Sequence, residues 1–244
     1  MNTRTAMIRI ATAMLLGCAL VACQPAPDPA AERAAREATE EQAAEAMAAQ
    51  FDAEFAAQRW ELARAHGNVL FDKYPDSAAA ERIKAQHAEA SIKAETEREQ
   101  RRTAALWTYQ TQPVDKGEQL SAAIHSQQAV DIGDGDPQRV RLIFREHPEW
   151  GRSSYLVLAG GDFDCYRGCK VQVKVDDAAP RAMAGSRPKT DEAIAMFIED
   201  ERALWRLVKD ADVVSIEFPV TAGGTRTAVF EVAGLDPARL PKWN

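Results

Sequence analysis

The chain lacks the short motifs that mark common catalytic sites. It contains no His-Glu-x-x-His zinc motif, no Gly-x-Ser-x-Gly nucleophile elbow, no Walker loop and no Gly-x-Gly-x-x-Gly sequence after a strand. Its four histidines, His66, His87, His125 and His147, are scattered over different predicted elements. These absences favour a non-enzymatic protein and predict neither a cofactor nor a bound metal.

Long apolar runs are also scarce. The apolar run at residues 10–21 is shorter than the roughly 20 residues of a transmembrane helix, and no later run reaches that length. The run follows Arg4 and Arg9 and ends in small residues, which is typical of an export signal. Residues 1–22 are therefore predicted to be a signal peptide rather than a membrane span.

The stretch Leu20-Val21-Ala22-Cys23 resembles the lipobox of bacterial lipoproteins at all four positions. The resemblance implies cleavage before Cys23, acylation of that residue and the lipid bilayer as its partner. In this family an Asp after the cysteine favours inner-membrane retention. Gln24 therefore implies the periplasmic face of the outer membrane of a Gram-negative bacterium. The alternative is an ordinary signal peptide with a chance cysteine.

The chain has fewer basic than acidic residues. The chain has 37 acidic and 30 basic residues, a formal net charge of -7. Residues 1–22 carry two arginines and no acid, so their removal would change the charge from -7 to -9. Nucleic-acid affinity comes mainly from basic side chains that neutralise phosphates, so no nucleic-acid partner is expected.

Residues 23–50 contain little that a hydrophobic core could bury. Eleven of the 27 residues from 24 to 50 are alanine, most of the others are charged or Gln, and three prolines stand near the start. This composition predicts an extended spacer followed by a solvated helix or a fluctuating linker.

A helical hairpin is predicted for residues 51–106. Its first helix carries an apolar stripe, formed by Phe51, Phe55, Leu62, Val69 and Leu70. The break falls at residues 74–77, where Asp76 or Ser77 is expected to cap the second helix. Residues 61–83 resemble a single tetratricopeptide-type helical hairpin. A repeat scaffold is not expected, because about three such units are needed to bury their faces.

After Trp107 the apolar period changes from 3.6 to 2. Apolar and polar residues alternate around residues 140–144, 171–175, 214–218 and 228–232, with Gly- and Asp-rich turns between them. One helix, capped by Asp200, interrupts the series. The predicted fold class is α+β, with residues 107–244 forming an antiparallel β-sandwich with one packed α-helix.

The order of these segments is similar to that of the VasI-type periplasmic domains associated with type VI secretion. The resemblance runs from "LWTYQTQPVDKGEQLSAAI" through "RLIFR" and "SYLVLAG" to "MFIEDERALWRLVKDADVVSIEF" and "TAVFEVAGL". It implies a sandwich fold, an envelope setting and a partner in the envelope or in a secretion system. The helical N-terminal region has no counterpart in that family.

Cys165 and Cys169 are the only thiols left if Cys18 is cleaved off and Cys23 is acylated. In an oxidising periplasm such a pair is expected to form a disulfide. A structural zinc would need two more ligands, and no histidine lies nearby in sequence. A thioredoxin-like site would need a C-x-x-C at a helix start, whereas this pair precedes a strand.

Five residues are candidates for partner binding, because they combine positive charge with a tryptophan that is expected to be exposed: Arg139, Arg141, Arg145, Trp150 and Arg152. A solvated sheet face explains the arginines equally well. Trp107 and Trp205 are instead expected to pack in the core.

Three functions remain open from the sequence. The first is an outer-membrane-anchored lipoprotein that acts as a non-catalytic binding module of the envelope or a secretion system. The second is an immunity lipoprotein that inhibits a cell-wall hydrolase. The third is an envelope glycan- or peptide-processing enzyme using Glu146, His147 or the cluster Asp131, Asp134 and Asp136. A hairpin turn explains the aspartates better than a calcium site.

Overall fold

The computed structural model describes residues 28–133, 135–188 and 195–243. Helices precede a nine-stranded antiparallel sheet, so the predicted α+β class is confirmed. The signal peptide, Cys23 and Asp134 lie outside the described residues.

The helical region contains three helices, α1 (Pro29–Ala56), α2 (Trp60–Lys73) and α3 (Ala78–Ala104), and each of them contacts the other two. The predicted boundary at residues 50–51 falls inside α1. Ala44, Ala48 and Phe51 of α1 are fully buried against α2 and α3. Of the two alternatives predicted for this segment, a solvated helix or a fluctuating linker, the structure shows a helix over residues 29–50, in which Ala44 and Ala48 are buried rather than solvated. Alanine provides little apolar area, but it lets helices approach closely.

The turn between α1 and α2 corrects the predicted apolar stripe. Gln58 has a φ of 56°, which ends α1 before α2 starts in a new direction. Phe51 and Leu70 enter the helical core, whereas Leu62 and Val69 are 50% and 44% exposed. Ser77, and not Asp76, caps α3, because its Oγ accepts from Ala80 N at 3.1 Å.

The sheet is formed by nine strands, β1 to β9 in chain order: Trp107–Val114, Gly117–His125, Arg141–His147, Gly151–Val157, Cys169–Val175, Arg181–Ser186, Ala195–Ile198, Val213–Pro219 and Thr225–Glu231. Their order across the sheet is β1-β2-β3-β4-β7-β6-β5-β8-β9, and all pairs are antiparallel.

The strands form one continuous open sheet rather than the two stacked sheets of the predicted sandwich. The sheet curls around its apolar face, so that its two ends come together. Gln127, just after β2, donates its backbone N–H to Val229 O of β9 at 2.7 Å, and the Trp107 indole of β1 donates to Val232 O, just after β9, at 3.3 Å. Strands from both ends thus contribute to one core. Alternation predicts which side chains face a core, but it does not specify which strands pair.

The helix α4 (Glu201–Val208) follows β7, and Asp200 caps it as predicted, accepting from Ala203 N at 3.0 Å. Trp205 of α4 packs edge-on to Phe144 of β3, with ring centroids 5.2 Å apart. Trp107 and Trp205 are 5% and 2% exposed, which confirms their predicted place in the core.

The helical region docks on the sheet through α3. Arg102 of α3 forms an ion pair with Glu231 of β9. Close by, a Cβ on Gly234 would lie 2.1 Å from the carbonyl carbon of Thr103, so only glycine fits at this contact. The protein uses a charged pair and a glycine contact to join its two regions.

Candidate functional site

The hairpin of β3 and β4 positions the predicted arginines. Leu142 and Phe144 point into the core, and Arg141 and Arg145 therefore lie on the outer face of the sheet. Arg139 is exposed just before β3. The alternation seen in the sequence correctly places Arg141 and Arg145 on one face.

Arg145 lies between two aromatic rings. Its guanidinium carbon is 5.4 Å from the ring centre of Trp150 and 5.4 Å from that of Tyr155, and its Nε donates to Ser153 Oγ at 3.1 Å. Both contacts are within cation–π range. The Tyr155 ring in turn contacts Phe197 of β7, with centroids 5.2 Å apart.

The turn after β3 holds Trp150 in place. The Trp150 ring stacks on His147 with centroids 3.9 Å apart and an interplanar angle of 10°. His147 Nδ1 accepts from the backbone N–H groups of Glu149 (3.1 Å) and Trp150 (3.3 Å). Trp150 remains 69% exposed, as predicted. We call this surface the outer patch, which consists of Arg141, Arg145, His147, Trp150, Tyr155 and Phe197.

The electrostatics of the outer patch follow from the unpaired arginines in it and from Arg139 beside it. Among the described residues, Arg139, Arg141 and Arg145 form no ion pair. Burial, and then Arg141 and Arg139, lower the pKa of His125 on neighbouring β2. Burial raises the pKa of Tyr155, against the opposing effect of the arginines. Both shifts favour the uncharged side chain.

Arg152 does not belong to the outer patch. Arg145 pairs with Ser153 across the hairpin and Arg152 pairs with Glu146, so the Arg152 side chain leaves from the opposite face. Its Nη1 donates to the carbonyl oxygen of Lys242 at 2.5 Å. Arg152, also a candidate for partner binding from the sequence, therefore lies on a different surface from Arg145.

Cys165 and Cys169 are joined by a disulfide, as predicted, with Cα atoms 4.9 Å apart. Gly168, with a φ of 83°, makes the turn between them, and its N–H donates to Cys165 O at 3.1 Å. Cys165 is buried in the sheet core. The bridge packs against Gly185 of β6, where an added Cβ would lie 2.9 Å from Cys169 Sγ. The disulfide stabilises the turn that leads into β5.

The residues of the enzyme hypothesis are separated in the structure. Glu146 and His147 are adjacent on β3 and point to opposite faces, and Glu146 pairs with Lys242 Nζ at 3.2 Å. Asp131 accepts from Gly133 N at 2.8 Å in a turn. No group of three or more metal-ligating side chains occurs in residues 28–133, 135–188 and 195–243.

Sequence reasoning missed Tyr155, Phe197 and His125. Alternation within residues 153–157 was a usable signal for Tyr155, since it shares a face with Ser153. Phe197 had no such signal. Its strand β7 is only four residues long and pairs with β4, from which β5 and β6 separate it in sequence.

Comparisons of the chain with protein families, curated proteins and solved structures found no match. No helix within the described part of the chain is long and apolar enough to cross a membrane.

Proposed function

We propose that this protein is an outer-membrane-anchored periplasmic lipoprotein whose outer patch binds another protein of the cell envelope or of a secretion system, without catalysis. The partner is expected to present carboxylates around an apolar contact. The observation that carries this proposal is the position of Arg145 between Trp150 and Tyr155.

The composition of the outer patch is that of an interface hot spot. Trp, Tyr and Arg are the residues that contribute most to binding energy when they cluster at the centre of an interface. Trp150 exposes more than two-thirds of its surface, yet its ring is held by His147 and Arg145. A ring that is already fixed loses little conformational entropy when a partner covers it.

Charge supports an acidic partner. The protein is acidic overall, and many of its arginines form ion pairs with its own carboxylates, as Arg82 does with Glu45 and Asp52. Arg139, Arg141 and Arg145 form none within the described residues, so they remain free to bind carboxylates of a partner. Complementary charge of this kind speeds association and selects the partner.

The lipid anchor rests on the lipobox resemblance at Cys23. A matched pair of variants tests it. Cys23→Ser is expected to move the protein from the membrane fraction to the soluble fraction and to abolish incorporation of labelled palmitate. Cys18→Ser, in the predicted signal peptide, is expected to change neither. Membrane association that survives Cys23→Ser would contradict the anchor.

The immunity function uses the same anchored position and a binding surface, but no contact in the described residues favours a hydrolase as partner. The enzyme function is not favoured either, because Glu146 and His147 lie on opposite faces.

A further inference from the structure

A second basic surface lies on the other side of the sheet from the outer patch. Arg152 of β4, the helix α4 and the C-terminal segment Pro241–Trp243 enclose a cleft of about 340 Å³. We call this the basic cleft, and it is lined by Arg152, Arg202, Trp205, Arg206, Lys209 and Trp243.

The lining combines four cationic side chains with two tryptophans and contains no carboxylate. Arg202 and Arg206 form no ion pair within the described ranges. Lys209 forms one, with Asp210, at 3.7 Å between Nζ and Oδ2. Arg202 and Arg206 are four residues apart on α4, where like charges destabilise a helix. An anion bound between them would remove this repulsion.

The two tryptophans of the basic cleft are buried. Trp205 and Trp243 are 2% and 6% exposed, and their rings pack on each other and on Phe144. Each indole Nε1 is buried and has no acceptor among the described residues. A buried N–H donor without an acceptor is costly, so native proteins rarely keep one. The basic cleft thus places four cationic side chains beside two tryptophans whose indole donors have no partner among the described residues.

We propose that the basic cleft binds a phosphate group, as the free ion, as part of a soluble phosphorylated compound or as a lipid headgroup. A phosphate monoester carries close to two negative charges at neutral pH and presents several acceptor oxygens. The guanidinium forks of Arg152, Arg202 and Arg206 match phosphate oxygens in charge and geometry. The cleft volume lies at the small end of ligand sites, which suits a compact anionic group.

The test uses the full chain purified in a nonionic detergent and labelled with ¹⁵N. The chain has five tryptophans, so five indole N–H signals are expected. Titration with inorganic phosphate and with pyrophosphate, at constant ionic strength set with chloride, is expected to shift the signals of Trp205 and Trp243. The signal of exposed Trp150 should not move.

A matched pair of double variants separates a site from general charge. Arg202→Gln/Arg206→Gln removes two exposed cations from the cleft and is expected to weaken pyrophosphate binding by about tenfold or more. Arg33→Gln/Arg36→Gln removes two exposed cations from α1 and is expected to leave the affinity unchanged. Unchanged thermal unfolding would show that both variants remain folded.

The source of the phosphate is resolved by a second set of titrations. Vesicles of phosphatidylglycerol and of phosphatidylcholine are compared with soluble pyrophosphate. Shifts of Trp205 and Trp243 with either soluble phosphate or phosphatidylglycerol vesicles, lost in Arg202→Gln/Arg206→Gln, support the proposal and identify the source. The proposal is overturned if neither probe moves these signals, or if the two double variants weaken binding equally.

Discussion

Trp150 stacks face to face on His147, with ring centroids 3.9 Å apart. His147 Nδ1 accepts two backbone N–H groups of the same turn, those of Glu149 and Trp150. These contacts hold the imidazole ring in place beneath the indole ring. This arrangement gives the outer patch a fixed aromatic surface.

Burial, and then the positive charges of Arg141 and Arg139, lower the pKa of His125. Its folded pKa lies below the ordinary value of 6.5, so the folded protein binds this proton less tightly than the unfolded chain. Stability from this residue is present above pH 6.5 and is lost as the pH falls through the folded pKa. In an NMR titration, Arg139→Gln/Arg141→Gln should raise the pKa of His125, and Arg181→Gln on β6 should not. A wild-type His125 pKa at or above 6.5 would contradict this.

The cap of α3 provides a matched test at neighbouring positions. Ser77→Ala removes the acceptor for Ala80 N and is expected to lower the free energy of unfolding by about 1 kcal/mol. Asp76→Ala should have little effect, because Asp76 does not cap the helix. Urea unfolding measures both, and a larger effect for Asp76→Ala would show that the cap is misassigned.

Gly234 is expected to control docking of α3 on the sheet. In Gly234→Ala the new methyl group would overlap the backbone of Thr103 and Ala104, which cannot move aside without shifting α3. We expect a loss of about 1–3 kcal/mol, together with faster amide exchange around residues 100–106. Gly160→Ala is the control, since the nearest atom to its new Cβ is 3.8 Å away. Equal stability of the two variants would exclude the close contact.

The disulfide is expected to be a structural bridge of modest strength. In the chain-entropy model a loop this short contributes about 2 kcal/mol. Cys165→Ser/Cys169→Ser should therefore unfold at lower denaturant concentration than the oxidised protein. Thiol titration of the exported, non-reduced wild-type protein should find no free thiol at these positions, and two free thiols would refute the pairing.

The parts of the structure that the sequence predicted are those controlled by local chemistry. Alternation placed Arg141 and Arg145 outside and Leu142 and Phe144 inside, and Asp200 marked the start of α4. Such features depend only on neighbours a few residues away.

The sequence predicted less where contacts between residues far apart in the chain determine the structure. The alanines of α1 gave no sign that α2 and α3 would cover them. Arg152 was grouped with Arg145 because both are basic and close in sequence. The register of the hairpin, with Arg145 opposite Ser153, places Arg152 on the other face instead. The single continuous sheet could not be predicted either, since the order of the strands depends on contacts between distant segments.

Site-specific photocrosslinking in cells tests the central claim most directly. A photoreactive residue replaces Trp150 in the outer patch or Tyr166, which is 57% exposed and lies outside it. We predict one discrete protein adduct from position 150 that is lost when Arg145→Gln is added, and none from position 166. The absence of an adduct at position 150, or an adduct that Arg145→Gln leaves unchanged, would contradict a binding function for the outer patch.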